Sequence, residues 1–461
     1  MPYAANGLLQ KLTAAPEIRY KHLFRINKMK NFSIVTISII FLIVGGCEKS
    51  QTPPVVKPAQ NSTAASTDTA TIVITPGADA QKKAQEAFIL AKPGDVIEFA
   101  EGKFEFDGTI SLVGIADVTV RGKGMEKTIL NFAKFQDGKG GEGVKVKADR
   151  FTIEDLTIED TPGDAIKLQD CNGLTMRRIR TWWTNGPSSE NGAYGLYPVL
   201  SNNVLIENCV AQCASDAGIY VGQSKQIIVR NCVTEKNVAG IEIENCIGAD
   251  VYNNVSKNNA GGILVFSLPG LTIKNGTDCR VFNNTISSNN HVNFAKAGAM
   301  VATVPSGTGL MIMANDRVEA SGNTFDGNAG AGCLIVSFLT TQRQFDDAQY
   351  DPYPEAVSIK NNVFKNGGSD PQGDQFKMFT DATGQNLPDI VYDGILDPKK
   401  LVDEKLPTEL GVSIIDNGDA TFVNLDLGTL FAGSQPNMTT DITEFAHPLP
   451  PVKTVTIEGV E

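Results

Sequence analysis

The residues able to do chemistry in this chain come together when it is written in repeats. Lys167, Tyr197, Tyr220 and Glu242 hold one equivalent position in successive units, and Glu244 stands two residues after Glu242. A cation, phenols and carboxylates on one surface can move a proton beside a carboxylate. A base takes the proton, and a cation or strong donor holds the charge that develops. Lys167 would hold the carboxylate. Tyr197 or Tyr220 would be the base or acid, its pKa lowered by the nearby cation. Glu242 and Glu244, with Asp216 at the preceding turn, have the oxygen chemistry of a calcium site. The two glutamates could also act directly on a glycosidic bond, although two side chains from one strand flank a bond poorly. His291, within Asn289-Asn290-His291, is a further candidate for proton transfer. Trp182 and Trp183 are the only tryptophans. With Tyr194 after them, they suit a platform on which a sugar ring stacks. Each residue also has a plainer reading. Tyrosines form strands well, a tryptophan can fill space under a loop, glutamates can edge a sheet in solvent, and a histidine can sit in a surface turn.

These residues share a face only if the chain repeats in register. Segments beginning at Ile166, Leu196, Ile219, Ile241 and Ile263 open IKLQD, LYPVL, IYVGQ, IEIEN and ILVFS, with starts 30, 23, 22 and 22 residues apart. A second motif recurs in each unit at Leu174/Met176, Val204/Ile206, Ile227/Val229, Ala249/Val251 and Cys279/Val281. Such short alternating strands cannot bury an apolar face alone. Coiling them so that each unit pairs with the next solves this, with equivalent side chains about 4.8 Å apart. Inward positions must then be apolar throughout, as Ile166, Leu196, Ile219, Ile241 and Ile263 are. Lys167, Tyr197, Tyr220, Glu242 and Leu264 then point outward in one row, and Gln169, Val199, Gly222, Glu244 and Phe266 in another. Glu242 and Glu244 lie roughly 6.6 Å apart along their strand. Polar residues Arg178, Asn208, Asn231, Asn253 and Asn283, preceded by Asp155 and continued by Asn361, are expected to turn inward and stack, each amide donating to one coil and accepting from the next.

The fold class expected is therefore all-β: a right-handed single-stranded parallel β-helix, or solenoid, with an N-terminal capping helix and an irregular C-terminal extension. Asp79 to Leu90 supplies the helix, with Asp79 as N-cap and Ala84, Ala87, Phe88 and Ala91 on one face. Val96-Ile97-Glu98-Phe99 is the first coil strand. Three long turns wall the outward face: Trp182 to Tyr194, Ser288 to Ala297 with His291 and Lys296, and Thr340 to Pro354 with Asp347 and Tyr350.

GDVIEF, GKFEF and VTVRGKG near the start, followed by units of the form GI-x-(I/V) and (I/V)-x-N-N, resemble the right-handed β-helix proteins of the pectate-lyase superfamily, over about residues 72–368. They resemble in particular bacterial parallel β-helix repeat proteins, a group without an established activity. The superfamily's substrate groove lies on the outer face of the first strand of each coil. The resemblance implies a carbohydrate polymer as partner, and lyase or C5-epimerase chemistry on a uronate, which calcium at Glu242, Glu244 and Asp216 would assist. The Asp-Pro-His-Asp run of mannuronan epimerases is absent. The paired aspartates of polygalacturonases find a match only in Asp346-Asp347, within a loop. Neither family's catalytic residues carry over. The competing reading is a non-catalytic carbohydrate-binding or scaffolding solenoid.

The ends place the solenoid. Residues 1–28 read as an upstream extension before Met29. Residues 29–46 read as a signal peptide: a basic start, an apolar run from Phe32 to Val44, then small residues. The run is shorter than the ~20 residues of a spanning helix. Val44-Gly45-Gly46-Cys47 resembles a lipobox, which implies lipidation at Cys47 and a bacterial cell-envelope location. Residues 47–70 form a flexible tether, 71–368 the solenoid, and 369–461 a C-terminal cap and extension. Past residue 46 the chain carries 34 basic and 51 acidic residues, a net of −17, which argues against nucleic acid as a partner. Seven cysteines follow Cys47 without CxxC spacing, so they are expected as small buried hydrophobes. A monomer is expected.

Overall fold

The computed structural model describes residues 69–136 and 141–460. Cys47, the signal segment and most of the tether lie outside the described residues.

Strands pair in parallel with the equivalent strand of the next coil throughout. Eleven of them form one sheet, running from Ile110–Val113 through Ile166–Gln169, Ala217–Gly222 and Ala239–Glu244 to Phe422–Asn424. The other two faces form a continuous 20-stranded sheet. They join because Phe151–Glu159 and Asn172–Trp182 run through the corner and pair on both sides of it. Asp155 and Arg178 turn that corner in the left-handed region, at φ 61° and 50°.

The register matches the spacing of the repeats. Leu196 pairs with Ile166 and Ile219, and Ile241 pairs with Ile219 and Ile263. All five are fully buried. Each such side chain contributes roughly 1.5–3 kcal/mol by leaving water. The small residue ahead of each strand has a steric cause. A Cβ at Gly262 would lie 2.4 Å from the Gly309 carbonyl oxygen of the next coil.

The polar stack differs from the expectation by one residue. Asn208, Asn231, Asn253, Asn283 and Asn361 are exposed and hold φ values of 54–56°. Asparagine tolerates this conformation better than most residues. The next residue turns inward instead. Asn254, Asn284, Asn323, Asn362 and Asn417 form a buried ladder, each amide bonding the following side-chain oxygen at 2.9–3.0 Å. Cys209 and Cys232 begin this column. A second ladder, Asn237, Asn259, Asn289 and Asn328, fills another turn. All seven cysteines of the described residues are buried and free.

A helix spans Ala80–Leu90 and buries Ala80, Ala84, Ala87 and Phe88 against the first coils. Asp79 does not cap it through its side chain. That carboxylate pairs with Lys83 instead, at 2.8 Å. Coiling also runs past residue 368. Ile390–Tyr392, Val412–Ile415 and Phe422–Asn424 pair as further coils. The tail then runs back along the solenoid. Val455 packs on Leu205 and Ile228, and its amide donates to Asp250 at 3.1 Å.

Candidate active site on the outer face of the eleven-stranded sheet

The two outward rows form as the repeats imply. Lys167 pairs with Tyr197, Tyr220 with Glu242, and Glu242 with Leu264. Beyond Leu264 the row continues as Met311, Leu334, Val391 and Val423. The second row passes from Gly222 to Glu244, Phe266, Met313 and Val336. The first row changes from polar to apolar directly after Glu242, and only apolar residues follow Glu244 in the second.

This face is roofed. Val301–Thr303, Phe338–Thr341 and the helix Asp374–Thr383 lie over it, with Leu425 arriving from the C-terminal region. The roof is pinned. Tyr350 donates to the Ser267 carbonyl at 2.7 Å, and Asp347 takes Lys274 at 2.8 Å and the Gly270 amide at 2.9 Å. Under it lies a chamber of about 390 Å³, within the range of small-molecule pockets. Its walls include Leu264, Phe266, Met300, Met311 and Leu334, with Asp216, Glu242 and Glu244 at one end. Among the described residues, no lysine, arginine or histidine lines it.

The carboxyls feel this environment. Burial pushes Glu244 up to about 7, opposed by a hydrogen bond from the Tyr220 hydroxyl. That hydroxyl reaches Glu244 because the Tyr220 ring lies over Gly222, where a Cβ would meet it at 2.3 Å. Burial, then the Glu244 charge, pushes Asp216 up to about 7. Glu242 is 2% exposed and held well above its ordinary range by burial and by both neighbours. Among the described residues it has no hydrogen-bond partner. At the polar end, Tyr194, Tyr197 and Tyr220 form a cluster with ring centroids 4.4–4.9 Å apart. The Lys167 ammonium sits 4.7 Å from the Tyr197 centroid. Burial pushes Asp164 up to about 6. Asp164 shares a neighbouring hollow with Glu142 and Lys296.

Several expected site residues stand elsewhere or differ in character. Trp183 is buried, and its indole donates to the Thr161 carbonyl at 2.7 Å. Trp182 lies on the 20-stranded sheet beneath Arg180, 4.4 Å from the guanidinium carbon. Neither tryptophan faces the chamber. The doublet straddles a strand end, so one ring turns inward and the other goes to a different face. Tyr194, at the end of the same insertion, does line the chamber. His291 is half-buried, bonds the Val292 carbonyl and meets the edge of Phe294. It does not line the chamber.

The tyrosines are not activated as bases. Burial raises Tyr197 to about 12 and Tyr220 well above its ordinary range, outweighing any benefit from Lys167. Glu242, Glu244 and Asp216 do not form a tight set of metal ligands. Among the described residues, the carboxylates close enough to share an ion are Asp316, Asp351 and Glu355. There the Lys400 ammonium already bridges Asp351 and Glu355, at 2.7 Å from each.

Comparison with known proteins agrees with the fold. The family described as "Right handed beta helix region" matches residues 142–291. A polygalacturonase from Penicillium griseoroseum is 24% identical over 208 residues, 38% of this chain and 53% of that protein. The chain thus spans about half the length of this curated relative. An alginate lyase from a Paenibacillus species is 20% identical, with 64% of this chain and 97% of that one covered and a TM-score of 0.43. A mannuronan C-5 epimerase A-module from Azotobacter vinelandii is 14% identical, with 74% and 91% covered and a TM-score of 0.43. From its parallel coils, its stacked interior and the matched segment, the chain is a right-handed parallel β-helix.

Proposed function

We propose that the chain engages carbohydrate on the outer face of the eleven-stranded sheet and acts on it through Asp216, Glu242 and Glu244. The observation that carries this reading is that three carboxyls from two adjoining coils line one roofed chamber. Burial and its two neighbours push Glu242 well above its ordinary range, and burial pushes Asp216 and Glu244 up to about 7. Pairs of carboxyls separated in this way divide into a general acid and a general base. Glu242 would protonate the departing glycosidic oxygen. Ionised Asp216 or Glu244 would take a proton from water as its oxygen bonds the anomeric carbon and the glycosidic bond breaks. The likeness to a polygalacturonase supports the substrate class.

Lys167 over Tyr197 favours a second reading, lyase or C5-epimerase chemistry on a uronate polymer. Lys167 would hold the uronate carboxylate and an ionised carboxyl would take the neighbouring proton. Tyr197 keeps its own proton to high pH and would serve as acid, not base. In both readings Cys47 tethers the protein by lipid to the cell envelope, supported by the sequence Val44-Gly45-Gly46-Cys47. The helix Ala80–Leu90 acts as a cap on the first coil, supported by its buried face.

The test is incubation with neutral, uronic and sulfated oligosaccharides. New reducing ends without ultraviolet absorbance indicate hydrolysis. Absorbance from unsaturated ends indicates elimination, and solvent proton exchange without cleavage indicates epimerisation. Binding without turnover would make this a carbohydrate-binding solenoid. No interaction with any glycan would overturn the proposal.

A further inference from the structure

The position of the three carboxyls points to the kind of carbohydrate this site takes. They stand at a border. On the side of the earlier coils are Lys167, Tyr197, Asp164 and the Lys296 turn, all able to hydrogen-bond sugar hydroxyls. On the side of the later coils the same row becomes Leu264, Met311 and Leu334. Three such rungs extend about 14 Å, beneath a roof that includes Met300 and Phe376. A polysaccharide running along the rows would lay most of its hydroxyls against this wall, where Asp393, Thr303, Thr340 and Thr341 are already bonded to the backbone, at a cost for each hydroxyl left unpaired. An apolar body would instead gain by leaving water. The Glu242 carboxyl adds an independent pointer. It is nearly fully buried, lines the chamber, and has no hydrogen-bond partner among the described residues.

We infer that the ligand is an amphiphilic glycoside, with its sugar over Lys167 and Tyr197, its glycosidic oxygen at Glu242, and an apolar aglycone in the chamber walled by Leu264, Met311 and Leu334. This rests on the carbohydrate reading above and narrows it from polymer to a sugar joined to an apolar alcohol. The charge balance agrees. An aglycone carrying an anion would meet four carboxyls, Asp216, Glu242, Glu244 and Asp393, and no basic side chain in the chamber. A neutral alkyl or aryl group packs against Leu264, Phe266, Met311 and Leu334 and sets no like charge beside these carboxyls.

Calorimetric titration of the full chain with ethyl, butyl, hexyl and octyl glucosides, each below its micelle concentration, tests the inference. Affinity should rise about fourfold per methylene while the chamber fills. Met311→Trp, which occupies the chamber, should flatten that rise. The series on the unaltered chain decides the question even where the variant does not fold. Affinity independent of alkyl length, with oligosaccharides still bound, would overturn the inference and leave the carbohydrate reading standing. Octanol binding as tightly as octyl glucoside would overturn both, since the sugar would then add nothing.

Discussion

Glu244 and Asp216 are carboxyls whose protons the folded chain holds more tightly than the unfolded chain does. The consequence has a definite sign. Between the ordinary glutamate value of 4.5 and the folded value of about 7, the native state binds more protons than the unfolded state. Stability from this source is therefore complete below pH 4.5 and falls as pH rises towards 7. Glu244→Gln should leave stability at pH 4 unchanged and raise it at pH 8 by about 1–3 kcal/mol, as read from denaturant melts at both values. Equal effects at the two pH values would show that Glu244 is not held in its acid form. The asparagines give a second prediction. The Asn284 side chain takes part in four hydrogen bonds, accepting from the amide and side chain of Asn254 and donating to Val251 and Asn323. Asn284→Ala should cost about 2–4 kcal/mol, since buried neighbours lose partners. Asn231→Gly should stay within about 0.5 kcal/mol, because Asn231 supplies only a left-handed corner that glycine also adopts. A melt in which Asn231→Gly costs as much as Asn284→Ala would contradict this assignment.

The elements show which features could be read from the chain. Strands with a 22-residue period leave little choice of register, because a one-residue slip would turn every interior isoleucine outward. That fixed the rows bearing Lys167, Tyr197, Tyr220 and Glu242. Corners are harder. Doublets such as Asn253-Asn254 and Asn283-Asn284 carry two different roles, and period alone does not say which member turns inward. Left-handed corners demand the first and hydrogen-bond ladders the second. The roof was the least legible part. Its segments repeat nothing, and their pairing with Leu264 or Met311 is set by packing between residues distant in sequence. Exposed tyrosines and glutamates were expected on an open groove, and the roof turned them into buried groups with raised pKa values. The helix Ala80–Leu90 was legible from its apolar face. Its Phe88 is 1% exposed. Phe88→Ala should cost about 3–5 kcal/mol if the helix closes the first coil. A loss below 1 kcal/mol in a denaturant melt would mean that the coils do not depend on it.

At the scale of the whole molecule, the described fold is a long sheet-walled rod with one roofed segment, which holds Asp216, Glu242 and Glu244. The proposed lipid tether would hold the rod at a membrane surface. Wild-type protein should partition into detergent, and Cys47→Ala should remain unprocessed or become soluble. An unmodified N-terminus near residue 1 would contradict the tether without touching the site. The site itself is tested most directly by the pH dependence of glycan turnover in the wild-type chain and in Glu242→Gln. The account predicts a bell-shaped profile for the wild type, its acid limb set by Asp216 and Glu244 at about 7 and its alkaline limb by Glu242. Glu242→Gln should lower the rate by about 10²-fold or more and remove the alkaline limb at unchanged melting temperature. Turnover that survives Glu242→Gln with the same profile would contradict the claim that these carboxyls perform the chemistry.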